Sequence, residues 1–164
     1  MSADMTRVQA IWQHPLYQKH LTALTRLESD RIFCRHTPEH FLDVARLMYI
    51  YSVEQELSIS KEVIYAAAFM HDIGRIDQIE KGIPHEMAGA ALCDRILPDC
   101  GFAKEEISLI KDFILHHRIK DTGADTPLYE MLYWADKKSR NCFACAAQAE
   151  CNWDRQKMNL EIDY

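Results

Sequence analysis

Imidazole and thiol are the side chains that most readily hold transition metals, and this 164-residue chain carries eight histidines and six cysteines at a formal net charge of −6. Three groupings stand out. His71-Asp72 is an adjacent pair at the end of an apolar run that contains Ala66, Ala67 and Ala68. His40, His85, His117 and Asp136 each adjoin apolar helical patterns, and Cys142, Cys145 and Cys151 form a close trio. Burying imidazoles and carboxylates is costly unless each is paired. One histidine alone is most simply a hydrogen-bonded core residue. Six such groups converging from several helices are satisfied together by a bound divalent cation, which takes imidazole nitrogens and neutralises the acids.

Convergence requires elements that aim these groups inward, and the periodicity supplies them. A helix is expected from about Leu16 to Ser29, with Leu21, Leu24 and Leu27 on one side. Thr37 reads as an N-cap with Pro38 at the first helical position. The stripe that follows is His40, Val44, Leu47, Met48 and Tyr51, at helical spacing. A third helix is expected from Ser60 to about Asp72, small-faced and central, with Gly74 as the residue that stops it. A loop with Gly82 and Pro84 leads to a helix over His85–Leu97, and Pro98 and Gly101 break it. The next runs from Ala103 to about Arg118 and opens with Glu105 and Glu106, which suit a positive helix N-terminus. After a loop with Gly123 and Pro127, a last long helix is expected from Leu128 to about Ala149.

The stripes give direction. His40 heads its own, and His71 continues Ile64, Ala67 and Ala68. His85 precedes Ala88, Leu92 and Ile96, while His117 extends Ile107, Ile110 and Ile114. His116 lies about 100° round the same helix, toward the edge of its apolar face. Strand patterns are weak. The expected fold is all-α, a single compact domain over residues 31–140, with an N-terminal helical segment (1–30) and a Cys-containing C-terminal extension (141–164) packed on it.

Composition bounds the alternatives. Apolar residues make up 48% of the chain and Gly and Pro number five each, too few for collagen-like, low-complexity or turn-rich β architectures. The acidic balance argues against a nucleic-acid polymer or a membrane surface as partner. No apolar run is long enough to span a bilayer. Met1–Ala10 carries Asp4 and no apolar stretch, unlike a secretory signal, so a cytoplasmic protein with reduced cysteines is expected.

The segment His71-Asp72-Ile73-Gly74, after an Ala-rich helix, resembles the doublet of the HD-domain metal-dependent phosphohydrolases. His40, in His-Phe-Leu-Asp-Val-Ala, and Asp136, in Tyr-Trp-Ala-Asp, complete the family's minimal order of His, His-Asp and Asp. His85, in Pro-His-Glu-Met-Ala-Gly-Ala, and His117, after Phe-Ile-Leu-His, extend the likeness to the dinuclear branch. That set is similar to the bacterial symmetrical dinucleoside-tetraphosphate hydrolases and, more distantly, to cyclic-dinucleotide phosphodiesterases. The resemblance covers about Arg35 to Arg140. Two departures stand beside it: Arg75 follows Gly74 where many relatives place a Lys, and Arg118-Ile119-Lys120 replaces the Gly-Tyr-Pro of the cyclic-dinucleotide enzymes.

The resemblance implies hydrolysis of a small phosphorylated, nucleotide-like substrate by metal-activated water. Asp72 would bridge two metals, with His40, His71 and Asp136 on the first and His85 and His117 on the second. Mixed imidazole and carboxylate donors suit one or two ions of iron, manganese, cobalt, nickel or zinc better than magnesium or calcium. Arg75 and Arg140 are expected to stabilise substrate phosphates, and with Asp72 as bridging ligand they make up the expected catalytic set. Lys137 and Lys138 read more simply as a solvated basic pair. His36 lies before the helix cap and is a candidate substrate contact; His14 and His20 read as surface residues. Competing readings are a non-catalytic metal-binding or redox-sensing module and an iron-dependent oxygenase on the same ligands.

The cysteine trio is spaced Cys-x2-Cys-x5-Cys, and Cys34 is its natural fourth partner, because the histidine site brings the start of the His40 helix next to Asp136. Four thiols could hold a structural zinc or an iron–sulfur cluster. The spacing is similar to the last three cluster ligands of some DNA-repair glycosylases. The alternative is a set of reduced, partly buried thiols. Cys93 and Cys100 read as core.

Overall fold

The protein, described by a computed structural model over residues 4–119 and 127–164, is built from helices, with no strand among the described residues. They are α1 (Thr6–Gln13), α2 (Pro15–Leu27), α3 (Pro38–Glu54), α4 (Lys61–Met70), α5 (Arg75–Lys81), α6 (His85–Ile96), α7 (Lys104–His116) and α8 (Pro127–Lys138). Short 3-10 turns cover Pro98–Cys100, Cys142–Ala144 and Gln148–Glu150. The expected loop at Gly123 lies outside the described residues.

At the centre, α4 packs on α3 and α7, while α8 packs on α3 and α7 and α6 lies against α7. The small face explains this position: Ala66, Ala67 and Ala68 are all fully buried, and their short side chains let neighbouring backbones approach. Phe41, Met48, Ile64, Met70, Ile110 and Phe113 fill the core around them, each contributing roughly 1.5–3 kcal/mol on burial. Tyr17 of α2 is also fully buried, and its hydroxyl donates to the Phe69 carbonyl at 3.2 Å. Thr37 caps α3 as expected, its Oγ1 accepting from the His40 amide at 3.3 Å.

Four expectations are corrected. A helix, α1, precedes the first expected one, because Val8 and Ile11 share a buried face one turn long. Residues 75–81, read as loop, form α5; it buries only Ile76, too little for a periodic signal, and ends at Gly82 with φ +70°. Gly74 does not terminate α4 through a left-handed conformation, since its φ is −77°. It permits close approach instead: a Cβ there would stand 2.4 Å from the His85 carbonyl oxygen and 2.5 Å from the Gly89 nitrogen. Finally, α8 ends at Lys138, not near Ala149. The Asn159 side-chain amide donates to the Lys137 and Arg140 carbonyls at 2.7 and 2.9 Å, satisfying the helix end and folding the C-terminal residues back. Tyr164 then meets Trp134 with ring centroids 4.9 Å apart.

Candidate metal centre

The ends of these helices meet at one buried point. α3 brings His40 in its first turn, and the turn after α4 brings His71 and Asp72. α6 starts with His85, α7 is followed by His117, and α8 carries Asp136 near its end. All six are buried. Ligand atoms of His40, His71, Asp72 and Asp136 lie within 4.8 Å of one another, and so do those of Asp72, His85 and His117. Asp72 is common to both groups. Its Oδ2 lies 3.0 Å from His71 Nε2, and its Oδ1 lies 3.2 Å from His85 Nε2 and 3.9 Å from His117 Nε2. Asp136 Oδ1 is 3.3 Å from His40 Nε2 and 3.8 Å from His71 Nε2.

The Nδ1 atoms are held from outside. His71 Nδ1 donates to the Ala68 carbonyl at 2.6 Å and His117 Nδ1 to the Ile114 carbonyl at 2.5 Å. His85 Nδ1 donates to Gln78 Oε1 at 2.6 Å. His40 Nδ1 donates to Ser139 Oγ at 3.2 Å, and that hydroxyl donates to the Asp136 carbonyl at 2.8 Å. Such partners fix the tautomer and orient Nε2 toward a metal. Two consequences test whether a cation fits. His85 and His117 bring their Nε2 atoms 3.1 Å apart, and with both Nδ1 hydrogens donated elsewhere a shared cation would satisfy the two facing lone pairs. His71 Nε2 is buried without a hydrogen-bond partner.

The electrostatics agree. Burial lowers the imidazole pKa of His40 to about 4 and of His85 to about 3, against weaker opposing pulls from Asp136 and Asp72. Burial also depresses His117. Neutral imidazoles are what a metal needs. Burial opposes ionisation of Asp72 and Asp136, yet their histidine neighbours hold both well below the usual carboxylate range. Burial would depress His71 too, but the two carboxylates raise it to about 10; a divalent cation would supply that positive charge itself.

Other residues take distinct places. His36, not recognised from sequence as inward-facing, is buried with Nε2 3.4 Å from Asp72 Oδ2. The buried Glu28 carboxylate holds it, accepting from the His36 amide at 2.8 Å and from Nδ1 at 2.6 Å. Glu28, Gln78 and Ser139 escaped sequence reasoning, since an acid, an amide or a hydroxyl at a helix end carries no periodic signal. His116 turns aside, its Nδ1 donating to the Asp112 carbonyl and its ring against Tyr129. His14 and His20 are half-buried rather than surface residues: His14 caps α2 by accepting from the Leu16 amide, and burial depresses His20.

The cationic side chains rim the centre. Arg75 Nε donates to Asp72 Oδ1 at 2.9 Å. Arg140 donates through Nη2 to His40 Nε2 at 3.0 Å and through Nη1 to the Arg35 carbonyl at 2.8 Å. Lys137 Nζ lies 2.5 Å from Asp136 Oδ2, so it is not merely solvated, whereas Lys138 pairs with exposed Asp163. Beside this rim, Cys34, Cys142, Cys145 and Cys151 line one cavity together with His40 and Arg140. Burial pushes the Cys34 thiol up, Arg140 opposes the shift, and the other three cysteines add to it. Cys93 and Cys100 belong to the hydrophobic core.

Comparison with known proteins follows the same outline. A protein of Clostridium beijerinckii, described only as uncharacterized, is 39% identical over 160 residues, spanning 98% of this chain and 100% of its own. The crystal structure of a predicted HD superfamily hydrolase from an uncultured Thermotogales bacterium superposes with a TM-score of 0.62 at 18% identity. It covers 88% of this chain and 80% of that one, and so shares the fold. The family model of the HD domain matches residues 37–147, from the cap of α3 to beyond α8. The chain belongs to the HD domain family.

Proposed function

We propose that this protein is a metal-dependent phosphohydrolase acting on a small, nucleotide-like phosphoester. The observation that carries the reading is a pair of buried donor groups sharing one carboxylate, Asp72. His40, His71, Asp72 and Asp136 would hold one ion, and Asp72, His85 and His117 a second. The donors suit iron, manganese, cobalt, nickel or zinc. Such an ion supplies Lewis acidity and, from water, a nucleophile usable near neutral pH.

The chain's own residues do the rest. Asp72 and Asp136 stay ionised over the physiological range. The carbonyl and side-chain partners at each Nδ1 keep the imidazoles in one tautomer and orientation. Arg75 is held through Nε, which leaves its Nη groups to take phosphate oxygens as a fork. Arg140, which contacts His40 and the Arg35 carbonyl, would add a second positive charge beside the phosphate. Charge building on the phosphoryl oxygens would be met by donors already in place.

The order of the six donors resembles that of the symmetrical dinucleoside-tetraphosphate hydrolases, so dinucleoside polyphosphates belong in the substrate panel. The test is phosphate or nucleotide release from a nucleotide panel by metal-loaded protein. His71→Ala and Asp72→Ala should each reduce release to background, and activity that survives both would overturn the assignment.

A further inference from the structure

We propose that Cys34, Cys142, Cys145 and Cys151 bind a four-iron, four-sulfur cluster, distinct from the histidine–aspartate centre and adjoining it. The four thiols come from two distant stretches of chain, one just before α3 and one after α8, yet they line a single cavity of about 350 Å3. All are free. They are not core residues in the manner of Cys93: Cys34 and Cys151 are only half-buried and Cys145 is exposed. The backbone around them is shaped to the same end. α8 stops short, and two 3-10 turns carry Cys142, Cys145 and Cys151 to one cavity, which a continuous helix at i, i+3 and i+9 could not do.

The surroundings fit thiolate sulfur. The Trp153 amide donates to Cys151 Sγ at 3.5 Å, and hydrogen bonds to the sulfurs are among the means by which a protein tunes a cluster. Arg35 and Arg140 line the same cavity and would offset the negative charge of four thiolates with their cluster.

The room between the four sulfurs bears on the occupant. A single zinc ion, bonded to each sulfur at about 2.3 Å, draws four sulfurs to about 3.8 Å from one another. Among the described residues no three of these sulfurs come within 4.8 Å of each other, although the histidine and aspartate donors nearby do. A cubane cluster places each thiolate on its own iron at a separate corner, which calls for wider separation and a cavity between them. The cluster would tie residues 141–164 to the start of α3. In doing so it would brace Arg140 and Ser139, which contact His40 at its two ring nitrogens.

The experiment is anaerobic purification of the full chain with assay of acid-labile sulfide, iron, zinc and visible absorbance. Expected are about four sulfides per chain and a broad visible band that bleaches on reduction. Cys34→Ala and Cys145→Ala should remove both the sulfide and the band. Cys145 is exposed, so its replacement costs little packing, and unchanged helical circular dichroism would separate cluster loss from unfolding. His71→Ala and Asp72→Ala should retain sulfide, which keeps this result independent of the hydrolase reading. Absence of sulfide, cysteine-bound zinc in its place, or sulfide unaffected by Cys145→Ala would overturn the proposal.

Discussion

Asp72 stands where the two donor groups meet, and its setting rests on residues that touch no ligand position themselves. Glu28 is the most consequential. It is buried, and it accepts both hydrogens that His36 offers it. Glu28→Ala would leave these donors buried and unpaired, at a cost of about 1–3 kcal/mol. It would also release His36 from Asp72 and weaken metal binding about 10- to 100-fold. Chemical denaturation and metal titration of the variant check the two effects separately. Protonation gives a second prediction. In the chelated protein, His40 and His85 have folded pKa values of about 4 and 3 against 6.5 unfolded. Between those values the unfolded chain binds more protons, so stability falls as pH drops below about 6.5. His71, raised to about 10, has the opposite sign: its contribution is full below 6.5 and is lost as pH rises toward 10. Denaturation midpoints of chelated protein should therefore peak near neutrality. A midpoint that rises steadily from pH 7 to 10 would contradict the His71 assignment. Periodicity made the inward course of His40, His71, His85 and His117 legible. His36 was not legible, because it lies before its helix and its burial depends on Glu28 of α2.

At the scale of elements, the turn between α4 and α5 carries the centre's specificity of placement. Gly74 lies against the backbone at the start of α6, with His85 and Gly89 as its nearest neighbours. Gly74→Ala would force backbone apart, costing about 1–3 kcal/mol, and would push His85 away from Asp72. His40 and Asp136 lie on α3 and α8, away from this contact, and would remain with His71 to hold the other ion. Metal content should thus fall by the ion of the His85 and His117 group before the other is affected, which elemental analysis under limiting metal can read. If both ions were lost in parallel, α6 would not be an independent arm of the site. The glycine was visible in sequence as a stop signal, but the close approach it serves was not. Its φ is ordinary, and only the position of α6 makes a side chain there intolerable. Likewise α5, with one buried residue, is held by its neighbours more than by its own pattern.

For the whole molecule, the centre draws donors from five helices or their ends, so ligation and folding are linked. A metal that binds the folded chain alone stabilises it by about 2.7 kcal/mol per site at a hundredfold excess over its Kd. Adding manganese or zinc to chelated protein should raise Tm in a concentration-dependent way, and Asp72→Ala should abolish most of that rise; an equal rise in the variant would locate the binding elsewhere. The amino-acid sequence determined the helical class, the cap at Thr37, the faces that aim the histidines and the order His40, His71-Asp72, His85, His117, Asp136. These follow from 3.6-residue periodicity and local capping chemistry, which neighbours along the chain suffice to specify. Tertiary structure alone decided that Glu28, Gln78 and Ser139 hold the imidazoles from behind, that His36 reaches Asp72, and that the residues after α8 fold back onto its end. Those relations join separate segments of the chain, and their distances are set by how helices cross and where α8 stops, which no local pattern encodes.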